Sequence, residues 1–370
     1  MKRLVFVTFL SVMYPCLSFH LDNIAVCPRP CKTTTSVKNF FKGAPFDGDS
    51  SLRIATDPLA LLAAAQDSLR YLNAHRNSPD QTINPQQFRH LVSYAQVERT
   101  LKFIIKTIQE DRKKKSFRIM DPEFLRTHFE AVQWRADDKS ALRQAINLPH
   151  DGKIRLTSYA IFSLRGSYKK TKNYPCGLYQ LFAEDIQKKY TKHQILAGAL
   201  EKKKNQHKRR AFAWVSRQGL EDALMHGTVI VKFADGATKI LNVDQNNGIA
   251  YDRKQKNILA QKRYWFFREL KNQHPSHQSL VDRFVQRRGV IFAGDVYNIG
   301  FGKVIALSYQ HPITGAHEVR LGILADTGGA FVNNLYQLDM FGGVFASKQE
   351  FKEYLTGMPL FAHAMVLYKR

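Results

Sequence analysis

Apolar positions recur at helical spacing through the first 130 residues and at strand spacing thereafter. Asp57-Pro58 supplies an N-cap and a first-turn proline, and Leu61, Leu62, Ala65, Leu69 and Leu72 then fall on one face. The stretch from Phe88 to Ile108 repeats the pattern with Leu91, Val97, Leu101, Ile104, Ile105 and Ile108, which predicts a second helix. Asp121-Pro122 starts a third through Phe124, Leu125 and Phe129. From about residue 150 the texture changes to short apolar runs separated by Gly, Asn and Asp. Thr228–Phe233 and Thr238–Val243 flank Ala234-Asp-Gly-Ala, a β-hairpin with Asp-Gly at its turn. Val304–Leu307 and His317–Leu324 form a second strand pair around Pro312-Ile-Thr-Gly. No internal repeat interrupts this order.

The chain ends bound the picture further. Met1-Lys-Arg and the apolar run from Leu4 to Phe19 read as a secretory signal, residues 1–18, too short and too early for a spanning helix. Tyr14-Pro15 before Cys16 do not make a lipoprotein box, so the expectation is export to the periplasm or envelope without a lipid anchor. Residues 19–52, rich in Thr, Ser, Gly and Pro, read as an extended or mobile arm.

The 370 residues are 44% hydrophobic, enough for a sizeable core, and two domains are expected from length. Net charge is +25, or +23 once Lys2 and Arg3 leave with the signal, so an acidic partner is implied. For an exported chain that partner is an anionic envelope polymer rather than nucleic acid. The basic runs are Arg112–Lys115 and Lys202–Arg210. Once Cys16 leaves, Cys27, Cys31 and Cys176 remain, which allows one pair and a spare thiol. Cys27 and Cys31 have no partners at zinc spacing, so no metal and no cofactor are expected.

Candidate chemistry lies in three aspartates. Asp326 follows the run Val319–Ala325, apolar apart from Arg320, with Thr327, Gly328 and Gly329 expected to turn the chain. Asp339 returns on a second apolar run with Tyr336 and Phe341 nearby, and Asp295 precedes Ile299-Gly-Phe-Gly. Two carboxylates and an aromatic wall are the parts needed to keep one acid protonated at neutral pH.

Asp295-Val-Tyr-Asn-Ile-Gly-Phe-Gly, Asp326-Thr-Gly-Gly-Ala and Asp339-Met-Phe-Gly together resemble the three-aspartate signature of the membrane-bound lytic transglycosylase A family. Leu164-Arg-Gly-Ser with Tyr174-Pro-Cys-Gly-Leu-Tyr resembles its "LRGS…YPLY" segment. Gly227-Thr-Val-Ile-Val-Lys-Phe-Ala-Asp-Gly with Asn247-Gly-Ile-Ala-Tyr resembles "GSGRVRLPDG…NGxPY", and Tyr264-Trp-Phe-Phe-Arg resembles "SYVFFR". The matches run in the family's order over about residues 150–345.

The resemblance implies a mainly β fold with N-terminal helices. A double-psi β-barrel would come from 53–165 and 263–370, its barrel segments near 150–165 and 263–345, with 166–262 inserted as a smaller β domain and a groove between the two. It implies cleavage of peptidoglycan after N-acetylmuramic acid to a 1,6-anhydro product. Asp339 takes the acid/base position, Asp326 orients the loop or tunes Asp339, and Asp295 holds a barrel turn. Groove candidates are Tyr159, Asn247, Tyr251, Phe267, Thr327, Gly328 and Gly329. The sequence also departs from the pattern. Thr157-Ser-Tyr-Ala-Ile-Phe stands for "TGYYEP", His226-Gly-Thr-Val for "QGSG", and Ala330-Phe-Val-Asn for the "AIKG" that often follows the glycine pair. A non-catalytic glycan-binding relative is therefore the competing expectation. A water-using hydrolase on the same barrel differs only in product.

Overall fold

The computed structural model describes residues 16–17, 37–46, 52–78, 80, 82–114, 116–182, 189–252, 254–255, 257–272 and 278–370. The expected signal, apart from residues 16–17, lies outside them, as do Cys27 and Cys31. Two compact units divide the chain: Leu164–Leu270 form one, and Cys16–Ser163 with Lys271–Arg370 form the other. Each combines sheet with a few helices, and none of the helices among the described residues is long and apolar enough to cross a membrane.

In the larger unit the first strands are β1 (Cys16–Leu17), β2 (Phe41–Ala44) and β3 (Arg53–Ile54). β2 fixes part of the stretch expected as an arm. It pairs with β4 (Phe129–Trp134), and Phe41 is buried against Phe88 and Trp134, ring centroids 4.9 and 5.6 Å away.

Helix α1 (Pro58–Ala74) starts where predicted, the Asp57 carboxylate accepting from Leu59 N and Ala60 N. Its buried face carries Leu61, Leu62, Ala65 and Leu72 together with Ala64, Ser68 and Tyr71. Helix α2 (Tyr94–Lys114) starts six residues later than the apolar pattern at Phe88 suggests. Ser93 explains the difference: its N donates to Gln96 Oε1 and its Oγ accepts from Gln96 N, a reciprocal cap. Helix α3 (Pro122–His128) stops before Phe129, which opens β4 instead. A short α4 (Asp138–Arg143) follows. Helices α1 and α2 pack on each other, α1 also against β13 (His317–Gly328) and α2 against β12 (Lys303–Gln310) and β15 (Phe361–Lys369).

Six strands of this unit pair in a closed ring. β5 (Ile154–Ser167, its residues 154–163 in this unit) runs parallel to β14 (Gln337–Phe345). β14 pairs with β11 (Ile291–Ala293), β11 with β13, β13 with β12 and β12 with β15. β15 returns to β5 through Phe361↔Arg155. β15 lies beyond the barrel segments expected from sequence, yet its alternation of buried Ala362, Ala364 and Val366 with half-buried neighbours is ordinary half-buried strand. Helices α7 (Leu280–Gln286) and α8 (Lys348–Thr356), also unforeseen, pack against β14.

The smaller unit holds β6 (Cys176–Leu181) paired with β7 (Arg209–Val215), and the predicted hairpin as β8 (Thr228–Lys232) and β9 (Thr238–Asn246). Gly236 has φ 87° at its turn, a conformation glycine adopts freely. β10 (Trp265–Glu269) pairs with β9, so this unit extends to Leu270 rather than ending at 262. Helices α5 (Lys192–Leu196) and α6 (Arg217–His226) complete it. Cys176 is a buried, free thiol whose pKa burial pushes up.

Candidate active site

The strand registers set the site. Ala293 on β11 pairs with Asp326 on one side and Asp339 on the other, and Asp339 pairs with Thr157 on β5. Thr157, Asp339, Ala293 and Asp326 therefore form one row across four strands. Asp326 and Asp339 are each only 2% exposed.

Side chains on that row and the next close around the carboxylates. Tyr159 Oη donates to Asp326 Oδ2 at 2.6 Å, and the Tyr159 ring lies 5.3 Å from that of Phe341, its register partner. Thr327 N donates to Asp326 Oδ1 at 2.7 Å, while Thr327 Oγ1 donates to Gly294 O at 2.9 Å. Gln337 Nε2 bridges Asp339 Oδ1 at 3.0 Å and Thr157 Oγ1 at 2.9 Å. Arg155, at the start of β5, has its pKa lowered by burial, with the Asp339 charge opposing that shift.

Asp295 works at one remove. It is fully buried, its Oδ1 accepting from Asn298 N at 3.1 Å and its Oδ2 from Asn298 Nδ2 at 2.6 Å and Asn334 N at 2.9 Å. It thus ties its own turn to the loop that carries the chain from Asp326 to Asp339. Burial pushes its carboxyl up to about 6, although these donors favour the ionised form. The following turn is tight: Gly300 has φ 92°, and a Cβ there would meet Pro85 Cδ at 2.7 Å.

The expected turn at Thr327–Gly329 begins later. Strand β13 continues through Gly328, neither Gly328 nor Gly329 has positive φ, and the left-handed residue is Asn333, φ 55°. The bonds from Thr327 to Asp326 and Gly294 hold the strand extended past Asp326.

Of the expected groove residues, Tyr159 and Thr327 contact the aspartates directly. Asn247 and Phe267 are fully buried in the smaller unit. Asn247 Nδ2 donates to Tyr190 O and Lys262 O, each at 3.0 Å, and its Oδ1 accepts from Tyr264 N at 3.0 Å, so its amide braces a loop. Phe267 pairs with Val243 inside the sheet. Tyr251 is half-buried in the loop after β9. Gln337 and Arg155 were not singled out from the sequence. Gln337 stands two residues before Asp339, and period-two alternation places both on one face.

No protein-family model matches the sequence, and no curated protein matches it. Solved structures do. E. coli MltA with bound chitohexaose aligns with a TM-score of 0.54 at 15% identity, covering 89% of this chain and 94% of that one. A membrane-bound lytic murein transglycosylase from Agrobacterium tumefaciens aligns at 0.56 and 16% identity, covering 89% and 97%. MltA from Neisseria gonorrhoeae aligns at 0.54 and 14% identity, covering 94% and 97%. With shared architecture over nearly the whole of both chains, this protein has the fold of the MltA lytic murein transglycosylases.

Proposed function

We propose that the chain is an exported peptidoglycan lytic transglycosylase, its six-stranded ring a double-psi β-barrel with residues 164–270 inserted as the smaller domain. One observation carries the reading. Two buried aspartates share a row through Ala293 on a fold whose solved examples are lytic transglycosylases, one with chitohexaose bound.

Asp339 is the acid/base. It first protonates the glycosidic oxygen leaving N-acetylmuramic acid, then takes the proton from the 6-hydroxyl as that oxygen attacks the anomeric carbon. The attacking group belongs to the sugar, so no water and no second catalytic carboxylate are needed. Gln337 and Arg155 orient the Asp339 carboxyl, and Tyr159 and Thr327 fix Asp326 beside it. Asp295 holds the connecting loop. The small exposure of Asp339 requires the sugar to displace the side chains that cover it.

That same burial favours a second reading, a glycan-binding relative without turnover. Mass spectrometry of digested sacculi separates them: anhydro-muropeptides support the transglycosylase, and unchanged polymer supports the binding protein. New reducing ends would mean a hydrolase on the same barrel.

A further inference from the structure

The larger unit holds a cavity of about 660 Å³, within the range of small-molecule sites. Arg112 from the last turn of α2, Arg288 just after α7 and Arg320 on β13 all line it. None of these three guanidinium groups forms an ion pair among the described residues. Three like charges around one cavity repel one another until a counter-charge enters. Among the described lining residues Asp57 is the one carboxylate, and its Oδ1 already caps α1 through Leu59 N and Ala60 N. The lining therefore keeps two positive charges in excess.

The guanidiniums are held with donors to spare. Arg288 lies 4.7 Å over the Tyr354 ring and 5.5 Å from that of Phe345, and no hydrogen bond among the described residues uses its guanidinium N–H groups. Arg320 spends its Nε on Tyr309 Oη at 3.1 Å and retains both terminal nitrogens. Gln66 and Gln286 add amides, while Leu59 and Val285 supply exposed apolar wall. The planar fork of arginine matches carboxylate and phosphate oxygens in pairs. The site is separate from the aspartates: Asp326 follows Arg320 by six residues along extended β13, roughly 20 Å at 3.3 Å per residue.

We propose that this cavity is an anion-binding site for a ligand with at least two carboxylate or phosphate groups beside a short apolar portion. The inference does not rest on the catalytic reading. Calorimetric titration of the full chain with inorganic pyrophosphate and, separately, with the dipeptide alanyl-glutamate tests it and tells the phosphate source from the carboxylate source. The expected result is saturable one-to-one binding of at least one probe, weakened about tenfold or more by Arg288→Gln and by Arg320→Gln. Asp339→Asn should leave that binding unchanged. Arg112→Gln, at an exposed position, serves if either of the others fails to fold, and should weaken binding likewise. Absence of binding by both probes at millimolar concentration would overturn the proposal, as would affinities unchanged in the arginine variants.

Discussion

The Tyr159 hydroxyl reaches Asp326 across two intervening strands, donating at 2.6 Å from β5 to β13 over β14 and β11. Three strand spacings in a flat sheet are roughly 14 Å. That exceeds what the two side chains span, so the sheet curls here and both sit on its concave face. The bond thus couples the curvature of the ring to the placement of the aspartates.

Tyr159→Phe tests that coupling. It keeps the ring packed on Phe341 and leaves Asp326 Oδ2 without this donor, which should cost about 1.5–3 kcal/mol if Asp326 is ionised. Turnover should fall by roughly tenfold through misplacement of Asp326, more than any change in glycan binding. Urea unfolding and digestion of sacculi measure the two effects; parent values in both would show the bond to be incidental.

Asp295 makes stability pH-dependent with a defined sign. Its folded pKa of about 6 lies above the ordinary 3.8, so the folded protein holds this proton to higher pH than the unfolded chain. The stabilisation is complete below pH 3.8 and is lost as pH rises through 6. It amounts to about 3 kcal/mol at 1.36 kcal/mol per unit. The parent-minus-Asp295→Asn difference in unfolding free energy should therefore fall between pH 4 and pH 6.5. A constant or rising difference would contradict the burial argument.

Lys303 gives the opposite slope. It is 2% exposed on β12, its Nζ 5.7 Å over the Phe88 ring, and burial pushes its pKa down to about 7. Between that value and 10.5 the unfolded chain binds the extra proton, so stability rises with pH across the window. Lys303→Met should remove the slope and stabilise the protein at pH 7 by about 1–4 kcal/mol, the usual range when a buried ionic group gives way to an apolar one. A destabilised variant would mean that the ammonium has a use at this position.

Charge should govern attachment to the cell wall. Lys202, Lys203 and Lys204 are exposed, and their reversal to glutamate should lower binding to sacculi more than turnover of short soluble fragments. Binding by the parent should weaken steeply with salt, given a screening length of about 8 Å at physiological ionic strength. Salt-independent pelleting with sacculi would point to stacking and neutral hydrogen bonds instead.

What the sequence disclosed follows from which interactions are local. Asp57-Pro58 and Asp121-Pro122 announce helix starts because the cap lies beside the helix it caps. The Asp-Gly hairpin is legible for the same reason. β4 and β15 are not legible locally because each finds its partner far along the chain: Val132 pairs with Val366. Likewise, three aspartates stood out by motif, yet their neighbourhood depends on Ala293, a residue without chemistry of its own. Gln337 and Arg155 gain meaning only once the register is known. Asn247 is a groove candidate by motif, and its amide is held by the carbonyls of Tyr190 and Lys262, partners that no local pattern discloses.

In the proposed reaction Asp339 moves the proton. Asp339→Asn keeps the shape of the side chain and removes its titrating proton, so the decisive measurement is the rate of anhydro-muropeptide release from sacculi by this variant and the parent. The expected result is a fall of about 10²–10⁴-fold with sacculus binding retained. Anhydro-muropeptides released at the parent rate would contradict it.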